Sequence, residues 1–129
     1  MRLIKAIIAV TITMVVLDLI WLGLVAESIY NDALGPLRAR ETVVVAAALF
    51  YLQYVAVIIG FAVLPSTSVK IAAQRGAGIG WLAYATFELT NWAVIEGWPV
   101  QLVPIDIAWG VCLTTLVAVA GRAAAGPPS

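Results

Sequence analysis

The sequence predicts an all-α, polytopic membrane protein with four transmembrane helices, and three observations predict it. Of the 129 residues, 64% are hydrophobic, with a mean hydropathy of +1.06; a soluble domain is nearer half apolar. The excess is gathered into long runs, as in membrane spans rather than in a soluble core. Proline, glycine and charged residues divide the chain into four such runs.

A span needs about 20 mostly apolar residues. The first run covers residues 3–26, behind Arg2. It is longer than the roughly 7–15 residues of a signal-peptide core, Asp18 interrupts it, and no small-x-small cleavage site follows, so it reads as a retained helix. The second run covers 42–64 and stops at Pro65. The third, 71–95, is the most polar, and the fourth covers 102–120. Residues 1–121 are expected to form one domain, and the Pro-containing tail 122–129 to be disordered.

Loop composition sets the connections. In the loop 27–41, Tyr30, Leu34 and Leu37 suit a short interfacial helix that Gly35-Pro36 breaks. Gly97-Trp98-Pro99 is a tight turn that pairs the third and fourth helices as an antiparallel hairpin. Trp98 is expected at the membrane interface, where indoles prefer to lie. With four spans, one side carries Arg2, Lys5, Lys70, Arg75 and Arg122. The other carries Arg38 and Arg40 beside Glu27, Asp32 and Glu41. Positive loops favour the cytoplasm, so the N and C termini are both predicted cytoplasmic, in a bacterial inner membrane.

Composition also excludes. The formal net charge is zero, so no basic face points to nucleic acid. Cys112 is the single cysteine and sits in an apolar run, where it reads as a small buried residue. There is no histidine, which removes His-based triads, imidazole metal sites and His-ligated haem. No cofactor is expected.

The informative residues are Asp18, Glu88 and Asp106, three carboxylates inside the apolar runs. A carboxylate in hydrocarbon costs a few kcal/mol even on the gentler insertion scales, so it rarely persists without a purpose. The topology puts all three in the outer half of the membrane, Asp18 roughly 10 Å below the outer end of its helix at ~1.5 Å per residue. Tyr84, Glu88 and Asn91 form one stripe at i, i+4 and i+7, flanked by Thr86 and Thr90. Asp18 with Trp21, and Asp106 with Trp109, repeat an i, i+3 pairing. Such a pocket suits a cation, an amine or a hydroxyl-rich head group. Carboxylates sharing a low-dielectric site seldom all ionise, which fits a proton-coupled site and equally an inert hydrogen-bonded cluster. Gly76 and Gly80 form a G-x-x-x-G pair that leads into the Tyr84–Glu88 stripe and is expected to pack inside the bundle, with homodimerisation as the alternative.

These polar residues carry a family resemblance over nearly the whole chain. The carriers are Asp18 to Gly23 (DLIWLG), Tyr30 with Leu34-Gly35, and Phe50-Tyr51. Ala83 to Asn91 (AYATFELTN), Gly97-Trp98-Pro99 and Asp106 to Gly110 (DIAWG) complete the set. In this order they resemble the DUF2177 family, small bacterial integral membrane proteins (domain of unknown function 2177). Glu88 departs from the family's Asp at that place, which keeps the acid but shifts its reach. The resemblance implies a four-helix inner-membrane protein and no particular activity or cofactor.

Three functions fit the residues. The first is binding or transport of a small amphiphile, amine or lipid head group, with Asp18, Trp21, Tyr84, Glu88, Asn91, Asp106 and Trp109 as recognition or proton-coupling groups. The second is an accessory subunit of a larger membrane complex, with the cluster as structural glue. The third is a lipid-modifying membrane enzyme, using the carboxylates as acid and base or to hold Mg²⁺ or Ca²⁺. No nucleophile motif or phosphate loop accompanies the third. The partners the composition admits are membrane lipids, a small-molecule ligand, a second copy of the chain, or that larger complex.

Overall fold

The computed structural model describes residues 1–25, 27–37 and 43–128. The loop charges Arg38, Arg40 and Glu41, the expected boundaries Ala26 and Thr42, and Ser129 lie outside the described residues.

Helix α1 (Arg2–Ile20) continues as a wider π-helical turn over Trp21–Val25. Helix α2 (Glu27–Leu34) is short and ends in a 3₁₀ turn over Gly35–Leu37, where Gly35 takes a left-handed φ of 51°. Helix α3 (Val44–Val57) continues as a π-helical stretch over Ile58–Val63. Helices α4 (Val69–Val94) and α5 (Leu102–Ala125) form a hairpin. Among the described residues, three helices are long and apolar enough to cross a membrane: Arg2–Leu24, Val44–Val63 and Leu102–Ala125. At 26 residues α4 has the length, about 39 Å at 1.5 Å per residue, without the same apolarity. Its interior includes Gln74, Arg75, Glu88 and Asn91.

Helix α5 is the centre of the bundle. It packs along α4, then α1, then the π stretch of α3. The core joins Val10 and Met14 of α1, Tyr54, Ile58 and Val63 of α3 and its continuation, and Leu113, Val117 and Ala118 of α5. Large apolar side chains such as Leu19, Leu52 and Leu82 are about 70% exposed. A belt of that kind is the surface that lipid covers.

Glycine sets the closeness of α4 to α5. A Cβ at Gly76 would lie 2.7 Å from Ala118 Cβ and from the Thr114 carbonyl oxygen, and one at Gly80 would overlap the Gly110 carbonyl oxygen. A Cβ at Gly110 would run into the ring of Tyr84. The Gly76–Gly80 face is therefore occupied by α5 within the chain. A homodimer through this face would have to displace α5.

The element bounds differ from the sequence expectation at both ends of the hairpin. Helix α4 starts two residues early because the Ser68 hydroxyl caps it, accepting from the Ile71 N–H at 3.2 Å. The expected disordered tail 122–129 is corrected more substantially: α5 runs on through Ala125. Arg122 is buried, and its guanidinium donates to the carbonyls of Ser66 (2.9 Å) and Thr67 (3.1 Å). Gly126, at φ 81°, then ends the helix. Arg2 donates to the Gly126 carbonyl at 2.9 Å and to Leu64 at 3.3 Å, tying the N-terminal residues, the α3–α4 turn and the end of α5 into one latch. The Pro-containing tail read as disordered because those carbonyls, more than 50 positions away in sequence, were not visible.

Candidate functional site

At the other end of the bundle, each of the three carboxylates is at most 9% exposed: Asp18 8%, Glu88 1% and Asp106 9%. Each has a hydrogen-bond donor from an aromatic side chain. Tyr51 Oη donates to Asp18 Oδ2 at 2.6 Å, tying α1 to α3, and Trp109 lies beside the same carboxylate. Tyr30 Oη, from α2, donates to Asp106 Oδ1 at 2.7 Å. Trp98 Nε1, in the α4–α5 turn, donates to Glu88 Oε2 at 2.9 Å. Glu88 and Asp106 lie within interaction range of each other across the α4–α5 hairpin.

A second layer holds these donors. Trp21 Nε1 donates to Tyr30 Oη at 3.4 Å, a long bond. The indoles of Trp21 and Trp109 stack with centroids 4.5 Å apart and planes within 6°. Phe87 meets Trp98 edge-on at 5.9 Å. Burial pushes the Tyr30 phenol above its ordinary value; the Trp21 N–H works against the rise and Asp106 adds to it. The phenol therefore stays protonated and donates.

These groups surround one cavity of about 220 Å³. It is lined by Asp18, Glu88 and Asp106, by the aromatic groups above, and by Phe50, Tyr84 and Phe87. At ~30 Å³ per liquid water, that volume holds roughly seven waters or a head group of similar size. Among the described residues, the lining contains no Lys or Arg. Of the residues singled out from the sequence, Asp18, Trp21, Tyr84, Glu88, Asp106 and Trp109 lie on this cavity. Asn91 does not: it is half-buried, a turn beyond Glu88, where Trp98 folds back over the stripe. Thr86 and Thr90 face outwards, and the Thr90 hydroxyl donates to the Thr86 carbonyl. Trp98, expected as an interfacial anchor, is a half-buried ligand of Glu88. Among the described residues, no group of three acidic or cysteine side chains is arranged to hold a metal ion.

The family model described as a predicted membrane protein, DUF2177, matches residues 3–123. The chain belongs to the DUF2177 family. No curated protein and no solved structure matches it. In this DUF2177 protein the match runs from α1 into the last turn of α5, so it covers every helix that contributes to the cavity. Tyr30, Tyr51 and Trp98, which donate to the carboxylates, were not among the candidate site residues. Reading outwards from each acid along its own helix finds Trp21 and Trp109 but misses donors on other elements. The signal available for these three was the run of aromatic residues shared with the family pattern.

Proposed function

We propose that this DUF2177 protein binds or transports a small amphiphile with an amine or hydroxyl-rich head group, which sits among Asp18, Glu88 and Asp106. The carrying observation is that three buried acids from three helices border one space that, among the described residues, has no Lys or Arg on its lining. Stacked indoles and phenols beside carboxylates suit an ammonium or a sugar-like head. The role falls to Asp18, Glu88 and Asp106 as acceptors, with Trp21, Tyr84 and Trp109 as the aromatic walls.

The proposal includes four crossings of a bacterial inner membrane, cytoplasmic termini and a cavity towards the outer side. Support comes from Arg2, whose bond to Gly126 puts both termini at one end. Termini on one side need an even number of crossings, and three apolar spans become even only when α4 crosses too. The basic residues Arg2, Lys5, Lys70, Arg75 and Arg122 then share the cytoplasmic side.

A second reading, an accessory subunit with a structural polar cluster, is favoured by one observation: each acid already has an internal donor. Native mass spectrometry from mild detergent, wild type beside Glu88→Gln, separates the two. A small molecule or lipid held by the wild type and lost from a folded variant is the expected result. A bare particle, or one in fixed stoichiometry with another protein, would refute free-standing ligand binding.

A further inference from the structure

The acidic cavity does not end at its acids. A second, largely apolar space of about 260 Å³ is lined by Phe50, Ala83, Tyr84, Phe87 and Asp106. Four of these five residues, all but Ala83, also line the acidic cavity. The two spaces are therefore neighbours, sharing the Phe50–Phe87 pair and meeting at Asp106. Their separate sides differ in chemistry. Asp18 and Glu88 lie on one, and Ala83, a turn deeper on the Phe87 face of α4, lies on the other.

The helix packing shows why this space exists. The π continuation of α3, Ile58–Val63, packs against α4 and α5, and Tyr54 of α3 still reaches both, its hydroxyl bonded to Thr114 and its ring edge-on to Tyr84 at 6.3 Å. Above Tyr54, α3 stands off α4 and leaves the space between Phe50 and Phe87. Phe50 and Phe87, 38% and 54% exposed, flank it. Ala83 is residue 15 of the 26 in α4, so the gap descends from the level of the acids towards mid-helix.

We propose that the gap between α3 and α4 is a lateral portal for a long-chain amine. Its ammonium sits among Asp18, Glu88 and Asp106, and its hydrocarbon chain passes between Phe50 and Phe87, over Ala83, into the bilayer. This rests on the binding reading above and adds the shape, charge and route of the ligand. Charge complementarity selects the amine: three acids with neutral aromatic donors face one space, and among the described residues no Lys or Arg lines it. Continuity with an apolar gap selects the chain, because a fully water-soluble amine has no use for it. An alkyl chain in that gap exchanges lipid contact for aromatic contact, while the head escapes from the interface into a site with matched charge.

The test uses the full-length protein in nanodiscs and two probes. One is a long-chain alkylamine with a diazirine at mid-chain; the other is n-butylamine, a head without a chain. Photolabelling is expected on the peptides carrying Phe50 and Ala83–Phe87, several-fold weaker in Ala83→Leu, with n-butylamine binding unchanged in that variant. Labelling elsewhere, or labelling indifferent to Ala83→Leu, overturns the portal, and in that case n-butylamine binding lost in Glu88→Gln would leave the cavity reading standing. If neither probe binds the folded wild type, both the portal and the cavity reading fail. The expected weakening in Ala83→Leu is specific only if Leu82→Ala, a lipid-facing neighbour, labels like the wild type.

Discussion

Gly80→Ala and Gly78→Ala are the same chemical change two residues apart on one helix, yet they are expected to act in opposite directions. A Cβ at Gly78 meets nothing within 4 Å. One at Gly80 would overlap the Gly110 carbonyl oxygen and lie 2.9 Å from the carbonyl carbon and 3.0 Å from Thr114 Cβ. Comfortable carbon–carbon separations are ~3.5–4.0 Å, so α4 and α5 must part by roughly 0.5–1 Å. Overpacking of this kind costs about 1–3 kcal/mol. Gly78→Ala carries no clash and keeps the helix-propensity gain, up to about 1 kcal/mol. Gly80→Ala shares that gain, so the two variants should differ by the clash alone, about 1–3 kcal/mol. Reversible unfolding in mixed detergent micelles, followed by tryptophan fluorescence, measures the difference. Equal stabilities would refute the close α4–α5 contact. The same separation would carry Glu88, two turns from Gly80, away from Asp106, one turn from Gly110, so Gly80→Ala should also weaken any ligand held between them.

Three further outcomes follow from the contacts. Arg122→Met leaves the Ser66 and Thr67 carbonyls without their donors and should destabilise by about 1–3 kcal/mol, with new protease cleavage at the α3–α4 turn or the end of α5. For Tyr30, whose folded value is raised, the stabilising contribution is complete below the unfolded value near ~10 and is lost as pH rises from there through the folded value. The alkaline fall in stability should accordingly be shallower in Tyr30→Phe, measured by thermal melts across that range. A double-mutant cycle of Glu88→Gln with Trp98→Phe should give a coupling of about 1–3 kcal/mol, since the 2.9 Å bond links them; zero coupling would remove Trp98 from the site.

Three of the four expected spans were legible because little besides a bilayer calls for hydrophobic runs of that length. The three acids were legible for the same reason, as exceptions within those runs. Their shared level followed from topology, which needs only the order of the helices and the positions of the breaks. What stayed hidden was set by contacts distant in sequence. Tyr51 reaches Asp18 from 33 positions away and Tyr30 reaches Asp106 from 76. No periodicity connects them. Asn91 shares the stripe by its i+7 spacing from Tyr84 but is not on the cavity lining, and spacing along one helix is blind to Trp98, which reaches Glu88 from the turn. The hold on the end of α5 was hidden on similar grounds: Ala123–Ala125 favour helix, but the bonds of Arg122 to Ser66 and Thr67 lie far away in sequence.

The donors to the acids bear on how the cavity persists. If the cluster served only to hold helices together, one buried carboxylate with one donor would tie any two of them, and apolar side chains of equal volume would do so at less cost. Instead three acids come from α1, α4 and α5, and their donors come from α2, α3 and the α4–α5 turn. Every element is thereby tied to the rim of one space. The donors are also aromatic, so they are stiff and bring bulk with a single polar atom. A frame of that kind fixes where the acids are. Its cost, a desolvated carboxyl on each of three helices, is the expected signature of a site kept for a ligand at the expense of stability.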